Sequence, residues 1–330
     1  MRRNKKYVYR LIGGCICCGL GVMAWLNLQE PVTQPAASVT DTASAQEEAA
    51  APTQTPALVN QSEPVEQQKL EAALRDSMAQ DSAQYEAYVW LPDWQKPLII
   101  GNHQQSSASI IKIYILGTAF ELAEHGQLDL QQAVTVHQSD MVGGAGVING
   151  RSGEPQFTIR ELLKLMITES DNTATNVLMD TIGVDRIRSF MTAHGYSQSV
   201  LQRKMMDFNA LKRGEDNFTT AADVGKFFRE LRTHQVVSPA ADQAMIDILF
   251  GQTDTECFPA ALPEAKIAHK TGELEGVYHD AGIIYEGGQG YVLCIMSEHS
   301  HGRSNTLATM RTMAKLVDAA YHESLGNEAG

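Results

Sequence analysis

The sequence predicts an α+β fold: one antiparallel sheet built from both ends of the folded region, flanked by helices, with an inserted all-helical subdomain. Three observations predict it. Apolar segments of strand length lie near both ends, at residues 85–91, 98–101, 266–270, 277–286 and 290–297. Apolar residues at helical spacing fill the middle, at residues 110–125, 159–168, 173–182 and 221–231. The chain has 330 residues, of which 43% are apolar, so it can bury a core without metal or disulfide support.

The limits of several elements also follow from the sequence. A helix is expected over residues 66–78, and an amphipathic helix over 305–323 closes the domain. Gly126 and Gly183 are expected to end helices, because glycine readily adopts the left-handed conformation after a helical turn. The glycine-rich segment 287–290 predicts the turn between the last two strands.

The first 29 residues predict a signal peptide or an uncleaved signal anchor. Five cations precede an uncharged apolar run that extends from residue 11 to 29: Arg2, Arg3, Lys5, Lys6 and Arg10. This charge asymmetry predicts a cytoplasmic N-terminus and an exported domain, in the periplasm or at the cell surface. The run is borderline in length for a membrane span, so secretion and anchoring to the cytoplasmic membrane both stay open.

Residues 30–64 predict a disordered linker. The segment contains five prolines, is rich in Ala, Thr and Gln, and carries no Lys or Arg. Such a composition buries too little apolar surface to fold. We therefore assign the folded domain to residues 65–330.

The net charge bears on the binding partners of the chain, and the cysteine content bears on a possible disulfide. The chain has 26 Lys and Arg against 39 Asp and Glu, a formal net charge of −13, which argues against nucleic acid as a partner. Cys257 and Cys294 are the cysteines beyond the N-terminal segment, and they could pair in an oxidising compartment or stay as buried thiols. We expect a monomer.

The first chemical motif is Ser109-Ile110-Ile111-Lys112. Residues three apart share a helix face, so the Ser109 hydroxyl and the Lys112 amine can meet. A serine becomes a good nucleophile when a neighbouring base takes its proton, and a lysine desolvated among isoleucines can serve as that base. The alternative is a serine N-cap beside a lysine that extends to solvent.

Two further motifs follow in the chain. Ser170-Asp171-Asn172 precedes a predicted helix, where all three residues could also act as N-caps. Lys270-Thr271-Gly272 ends a predicted strand, where it could also be the charged end of an edge strand. In this order the three motifs form the set found in class A β-lactamases and penicillin-binding proteins.

On these motifs the chain resembles the penicillin-recognising serine hydrolases and is most similar to class A β-lactamases. The resemblance covers roughly residues 66–325 and includes segments 167–174 and 217–220. It implies that Ser109 is the acylated nucleophile and Lys112 the general base or its partner. It implies that Ser170 carries a proton to the leaving nitrogen and that Asn172 holds the substrate amide.

The resemblance also implies the remaining substrate contacts. Lys270 supplies positive potential, Thr271 bonds the substrate carboxylate, and Gly272 lies at the substrate. The backbone N–H groups of Ser109 and Glu273 form the oxyanion hole. No metal or cofactor is implied, and the nearby pair His299 and His301 lacks an evident third ligand.

One stretch departs from the family pattern. Class A β-lactamases carry a glutamate that activates the deacylating water, two positions after an arginine and four before an asparagine. Here Arg203 and Asn209 fit, but Met205 stands at the glutamate position, and a thioether cannot take a proton. Asp207 and Glu169 are the candidate replacement bases, provided that either comes within hydrogen-bonding reach of the water.

His279 is the second departure. Many relatives place an arginine nine residues after the motif lysine to bind the substrate carboxylate, and His279 stands there instead. It is either a weaker carboxylate clamp or a strand histidine paired with Asp280.

These features predict a serine hydrolase that forms an acyl-enzyme with β-lactams, with slow deacylation of penicillins. The alternatives are a peptidoglycan D-alanyl-D-alanine peptidase and a tethered sensor that is acylated without turnover. The expected partners are a β-lactam or a peptidoglycan stem peptide, and the cytoplasmic membrane through the N-terminal segment.

Overall fold

A computed structural model of the chain describes residues 65–286 and 289–328. The predicted signal segment and linker lie outside the described residues, as do two glycines of the predicted turn at 287–290. No helix within the described ranges is long and apolar enough to cross a membrane.

The described residues form nine strands and ten helices. The strands are β1 Gln84–Trp90, β2 Leu98–Ile100, β3 Gln105–Ser106, β4 Ala133–Thr135, β5 Gln156–Thr158, β6 Phe218–Thr219, β7 Lys266–Leu274, β8 Val277–Tyr285 and β9 Tyr291–Glu298. The helices are α1 Val65–Met78, α2 Lys112–Glu124, α3 Ile159–Thr168, α4 Asn172–Ile182, α5 Val184–Ala193, α6 Phe208–Lys212, α7 Ala221–Arg232, α8 Pro239–Leu249, α9 Phe258–Ala261 and α10 Arg303–Glu328. A 3-10 turn, Ala108–Ile111, leads into α2.

The central sheet combines both ends of the domain, as the sequence predicts. Its five strands are antiparallel in the order β2-β1-β9-β8-β7. The N-terminal strands β1 and β2 join the C-terminal strands through the pairing of β1 with β9. The predicted α+β fold with an inserted helical block is therefore confirmed.

The sheet lies between two helical layers. Successive strand residues point to opposite faces, so Ile283 packs in the core shared with α2, α3, α4, α5, α7 and α8, whereas Ile284 packs in the core shared with α1, α9 and α10. Cys294 lies in the first core and Cys257 in the second, and both are free buried thiols. The structure thus favours unpaired cysteines over a disulfide.

Local capping explains where the helices near the site begin and end. At α3, Thr158 and Glu161 form a reciprocal capping box. At α4, Asp171 Oδ1 accepts a hydrogen bond from the Ala174 N–H at 2.8 Å. Gly183 follows α4 with φ 93° and Gly126 follows α2 with φ 67°, as expected for glycines that end helices.

Several boundaries differ from the predictions. Strand β7 continues to Leu274, so Lys270-Thr271-Gly272 lies within the strand and does not end it. Glycine suggests a strand end in the sequence, but nine consecutive pairs with β8 carry the strand through it. Ser109 lies in the 3-10 turn before α2, and the last helix begins at Arg303. Helices α5, α6, α8 and α9 were not predicted.

Candidate active site

Ser109 and Lys112 meet at the start of α2, as the sequence predicts. In the 3-10 turn, residues three apart lie one above the other. Lys112 Nζ donates a hydrogen bond to Ser109 Oγ at 3.0 Å, and the lysine side chain is fully buried. The pair therefore joins a hydroxyl to an amine that is removed from water.

Lys112 has three more hydrogen-bond acceptors. Its Nζ donates to the Ser170 carbonyl oxygen at 2.7 Å, to Ser170 Oγ at 3.1 Å and to Asn172 Oδ1 at 3.0 Å. Burial lowers the pKa of Lys112 well below its usual range, the charge of Lys270 lowers it further, and Asp171 opposes the shift. Because none of its acceptors among the described residues is a carboxylate, the ammonium form gains little to offset its desolvation.

Lys270 approaches Ser170 from the opposite side. Its Nζ donates to Ser170 Oγ at 3.2 Å and to the Thr271 carbonyl oxygen at 2.8 Å. Burial lowers the pKa of Lys270 to about 8. The Ser170 hydroxyl thus accepts a hydrogen bond from each of two buried lysines.

Ser170 is held in an unusual backbone conformation. Its φ is +51°, in the left-handed region that non-glycine residues rarely adopt. The neighbouring Asp171 fixes this geometry, because its Oδ2 accepts the N–H groups of Val147 at 2.6 Å and Ile148 at 2.9 Å. Gly146 lies so close that a Cβ there would come within 2.4 Å of the Asp171 carboxyl group. The packed loop therefore maintains the strained serine.

Strand β7 lies directly against the turn that carries Ser109. A Cβ on Gly272 would lie 3.2 Å from Ser109 N and 3.2 Å from the Ala108 side chain. This close approach brings the backbone of β7 beside Ser109. Thr271 and Glu273 are two residues apart on β7, so their side chains lie on the same face of the strand.

Arg303, which the sequence analysis missed, binds Glu273. Its Nε and Nη2 donate to the two Glu273 carboxylate oxygens at 2.9 and 3.0 Å, and Nη2 also binds Glu256. Such a bidentate pair has a defined direction, and both of its side chains are exposed. No sequence signal links residues 30 apart on a strand and a helix, so the contact required the structure.

His279 is buried behind the turn, and backbone groups bind both ring nitrogens. Nε2 lies 2.8 Å from the Ser106 carbonyl oxygen, and the Ser297 N–H lies 3.2 Å from Nδ1. Burial lowers the pKa of His279 to about 4, so the ring is neutral at pH 7 and donates from Nε2. The predicted pairing with Asp280 is wrong, because Asp280 binds His269 at 2.8 Å. Carboxylate binding by His279 stays a prediction that would require it to leave these partners.

The segment that carries Met205 forms a loop whose two ends are joined by contacts of Arg203 with Asp216 and Asn217. Arg203 Nε donates to Asp216 Oδ1 at 2.7 Å, and both side chains are largely buried. Asn217 Oδ1 accepts the Arg203 N–H at 3.0 Å, and Asn217 Nδ2 donates to the Arg203 carbonyl oxygen at 3.0 Å. These contacts fix the segment as a closed loop beside α4.

Met205 is buried within that loop and is attached to α4. Its N–H donates to Asn176 Oδ1 at 2.8 Å, and Asn176 Nδ2 donates to its carbonyl oxygen at 3.0 Å. Met206 follows with φ +63°. A Cβ on Gly144 would lie 3.0 Å from Met206 Sδ and 2.7 Å from Asn172 Nδ2. The loop therefore reaches the neighbourhood of Asn172.

The two candidate replacement bases have other partners. Asp207 Oδ1 caps α6 by accepting the N–H groups of Asn209 at 3.1 Å and Ala210 at 2.9 Å. Glu169 accepts from Thr168 Oγ1 at 3.5 Å and from Thr253 Oγ1 at 3.4 Å. Neither carboxylate is hydrogen-bonded to Ser109 or Lys112, and the Asn209 side chain is exposed. A role for either in deacylation stays a prediction.

Comparison with known proteins assigns the family. The family described as "Beta-lactamase enzyme family" matches residues 69–323, so the chain belongs to that family. A β-lactamase from Stenotrophomonas maltophilia is 26% identical over 204 residues, which cover 59% of this chain and 67% of the relative. These findings define the protein as a β-lactamase-like hydrolase.

Solved structures support the same fold. A β-lactamase from Sphaerobacter thermophilus superposes with a TM-score of 0.71 at 24% identity, covering 76% of this chain and 96% of that chain. A point mutant of PBP-A, solved as an acyl-enzyme complex with penicillin G, superposes with a TM-score of 0.70 at 25% identity. That match covers 78% of this chain and 96% of that chain.

Proposed function

We propose that the chain is an exported serine hydrolase that forms an acyl-enzyme with β-lactams on Ser109. The observation that carries this proposal is the 3.0 Å hydrogen bond between the buried Lys112 Nζ and Ser109 Oγ. A buried lysine with a lowered pKa can be neutral at pH 7 and can take the serine proton.

The acylation step follows from the contacts around Lys112. Lys112 takes the Ser109 proton as Oγ forms a bond to the lactam carbonyl carbon. The N–H groups of Ser109 and Glu273 stabilise the oxyanion that develops. The carbonyl–nitrogen bond then breaks, and the proton passes from Lys112 through the Ser170 hydroxyl to the leaving nitrogen. The 3.1 Å distance between Lys112 Nζ and Ser170 Oγ supports this relay.

Substrate recognition rests on residues of β7 and on the first residue of α4. Lys270 provides positive potential for an anionic substrate, and Thr271 donates to its carboxylate. Asn172 holds the substrate amide, and Gly272 lets the strand approach closely. His279 supports the backbone at Ser106 in its present contacts, and it binds substrate directly only if those contacts break.

Deacylation is slow in this proposal, because neither candidate carboxylate among the described residues is hydrogen-bonded to Ser109 or Lys112. Met205 stands where the family carries its glutamate. Asp207 and Glu169 are engaged with α6 and with two threonines. Such a site favours a persistent adduct, which fits the second candidate function: a D-alanyl-D-alanine peptidase or an acylated sensor. The similarity to a point mutant of PBP-A that was solved as an acyl-enzyme complex with penicillin G supports keeping this candidate.

The location follows from the N-terminal segment. We propose that residues 1–29 direct export, either as a cleaved peptide or as an anchor in the cytoplasmic membrane, and that residues 30–64 tether the domain outside the cytoplasm. The domain then acts as a monomer at the cell envelope, where β-lactams and stem peptides are encountered.

Turnover assays separate the candidate functions. The full chain is incubated with a penicillin and, separately, with a stem peptide that ends in D-alanyl-D-alanine. Steady release of hydrolysed penicillin identifies a β-lactamase, and release of D-alanine identifies a peptidase. Consumption of one penicillin molecule per chain, with no release of hydrolysed penicillin or D-alanine, identifies a sensor. Failure of Ser109→Ala to abolish the reaction would contradict all three.

A further inference from the structure

Three ligand-type side chains meet at the end of the sheet far from Ser109. Glu286 follows the last residue of β8, and Asp318 and His322 lie four residues apart on one face of α10. One ligand atom from each residue lies within 4.8 Å of those of the other two. Strand β8 separates this cluster from His279 by seven residues, or about 23 Å.

Asp318 is oriented by a buried tyrosine. The Tyr291 hydroxyl donates to Asp318 Oδ1 at 2.9 Å, and Tyr291 is fully buried. Asp318 Oδ2 then lies 3.7 Å from His322 Nε2. That distance is too long for a hydrogen bond but close to the roughly 3.4 Å that separates two ligands of one tetrahedral zinc ion. Carboxylates that bind a metal are themselves usually hydrogen-bonded, as Asp318 is to Tyr291.

Within the described residues, the basic side chain beside the two carboxylates is that of His322, whose Nε2 lies 3.7 Å from Asp318 Oδ2. Neither carboxylate forms an ion pair with a lysine or arginine within the part of the chain that the structure describes. Two carboxylates beside an imidazole offer oxygen and nitrogen ligands to a divalent cation. Glu286 and Asp318 are partly buried, whereas His322 is exposed, so an ion can enter from solvent.

We propose that Glu286, Asp318 and His322 form a site for a divalent cation of the zinc class. One imidazole nitrogen and two carboxylate oxygens suit zinc, whereas magnesium and calcium prefer ligands that are all oxygen. Water completes the coordination. The ion connects α10 to the end of β8, so its binding stabilises the packing of the C-terminal helix on the sheet.

The test is calorimetric titration of the full chain with zinc chloride under reducing conditions. Wild type and His125→Ala, which removes an exposed histidine elsewhere, are expected to bind with equal affinity. His322→Ala and Asp318→Asn are expected to weaken the same binding event at least tenfold. Magnesium chloride is expected to give no binding. Because thiols of the N-terminal segment can also bind zinc, the comparison between variants assigns the site.

The unfolding temperature, measured with and without zinc, is a second readout if one variant folds poorly. Zinc is expected to raise the unfolding temperature of wild type and His125→Ala, and to leave that of His322→Ala unchanged. Equal zinc affinity in wild type, His322→Ala and Asp318→Asn would overturn the proposal. Absence of binding at millimolar zinc would also overturn it. Both readouts are independent of Ser109 and of any β-lactam.

Discussion

The side-chain amide of Asn176 brackets the backbone of Met205. It accepts the Met205 N–H at 2.8 Å and donates to the Met205 carbonyl oxygen at 3.0 Å. These two bonds hold residue 205 in one place relative to α4, whatever its side chain. Because α4 begins at Asn172, a residue of the candidate site, these bonds fix the position of residue 205 relative to that site.

Met205→Glu is therefore expected to accelerate deacylation. A carboxylate at this position can take a proton from the attacking water, and general base catalysis contributes about 100-fold or more. The decay of the penicillin adduct, followed by intact-mass spectrometry, measures the effect. Met205→Gln is the matched control, because it has the same shape without the base. Equal decay rates in the two variants would show that position 205 does not face the water.

The two buried lysines predict a bell-shaped pH dependence of acylation. Lys112 must be neutral to take the serine proton, so the rate rises with pH through its lowered pKa. Lys270 must be charged to attract an anionic substrate, so the rate falls as pH rises through about 8. Because the charges of the two amines interact, each limb of the pH profile reports the coupled titration of both lysines and not that of one lysine alone.

Lys270→Arg tests the alkaline limb. Arginine stays protonated across this range, so the fall near pH 8 is expected to vanish or move to higher pH. The measurement is the second-order acylation rate between pH 5 and 10 for wild type and variant. An unchanged alkaline limb in Lys270→Arg would assign that limb to another group.

Arg303 is expected to protect acylation by offsetting the Glu273 charge. Glu273 shares a strand face with Thr271, so an unpaired carboxylate there repels an anionic β-lactam. Arg303→Ala is expected to slow acylation about tenfold, equivalent to about 1.4 kcal/mol, and less at high salt. Both side chains are well exposed, so stability should change little.

The double variant Arg303→Ala with Glu273→Gln provides the control for this prediction. It removes both charges and is expected to recover most of the acylation rate. If the double variant is as slow as Arg303→Ala, repulsion by Glu273 is not the cause.

Gly146→Ala is expected to disrupt the loop that fixes Ser170. Gly146 has φ +120°, and an added Cβ would lie 2.4 Å from the Asp171 carboxyl group. We expect a loss of about 2 kcal/mol in the free energy of unfolding and slower acylation. Urea unfolding and adduct formation measure the two effects. Gly143→Ala, where a Cβ meets nothing within 4 Å, should leave both unchanged.

The sequence predicts the features that depend on local spacing. Three-residue spacing brings Lys112 to Ser109, and the apolar periodicity locates most long helices and the five sheet strands. The motif set indicates that Ser170 and Lys270 belong to the same site, which their shared hydrogen bond agrees with. The sequence left open whether Cys257 and Cys294 form a disulfide or stay as free thiols. The structure favours free thiols, because the two cysteines are buried in different cores.

Contacts between distant segments that no motif links could not be predicted. Arg303 and Glu273 meet because α10 starts beside the end of β7, and no local pattern encodes that approach. The bonds between Asn176 and Met205 join residues 29 apart across a loop whose path depends on tertiary packing. The pairing of His279 with Asp280 failed because adjacent strand residues point to opposite faces, which left Asp280 to His269.

The most direct test of the account is intact-mass spectrometry of the full chain with a penicillin and a cephalosporin over time, beside Ser109→Ala. We predict that each wild-type chain gains the mass of one β-lactam molecule and that this adduct persists over the time course. We predict no adduct in Ser109→Ala. An adduct in Ser109→Ala, or no adduct in wild type, would contradict the assignment of Ser109 as the β-lactam-reactive nucleophile.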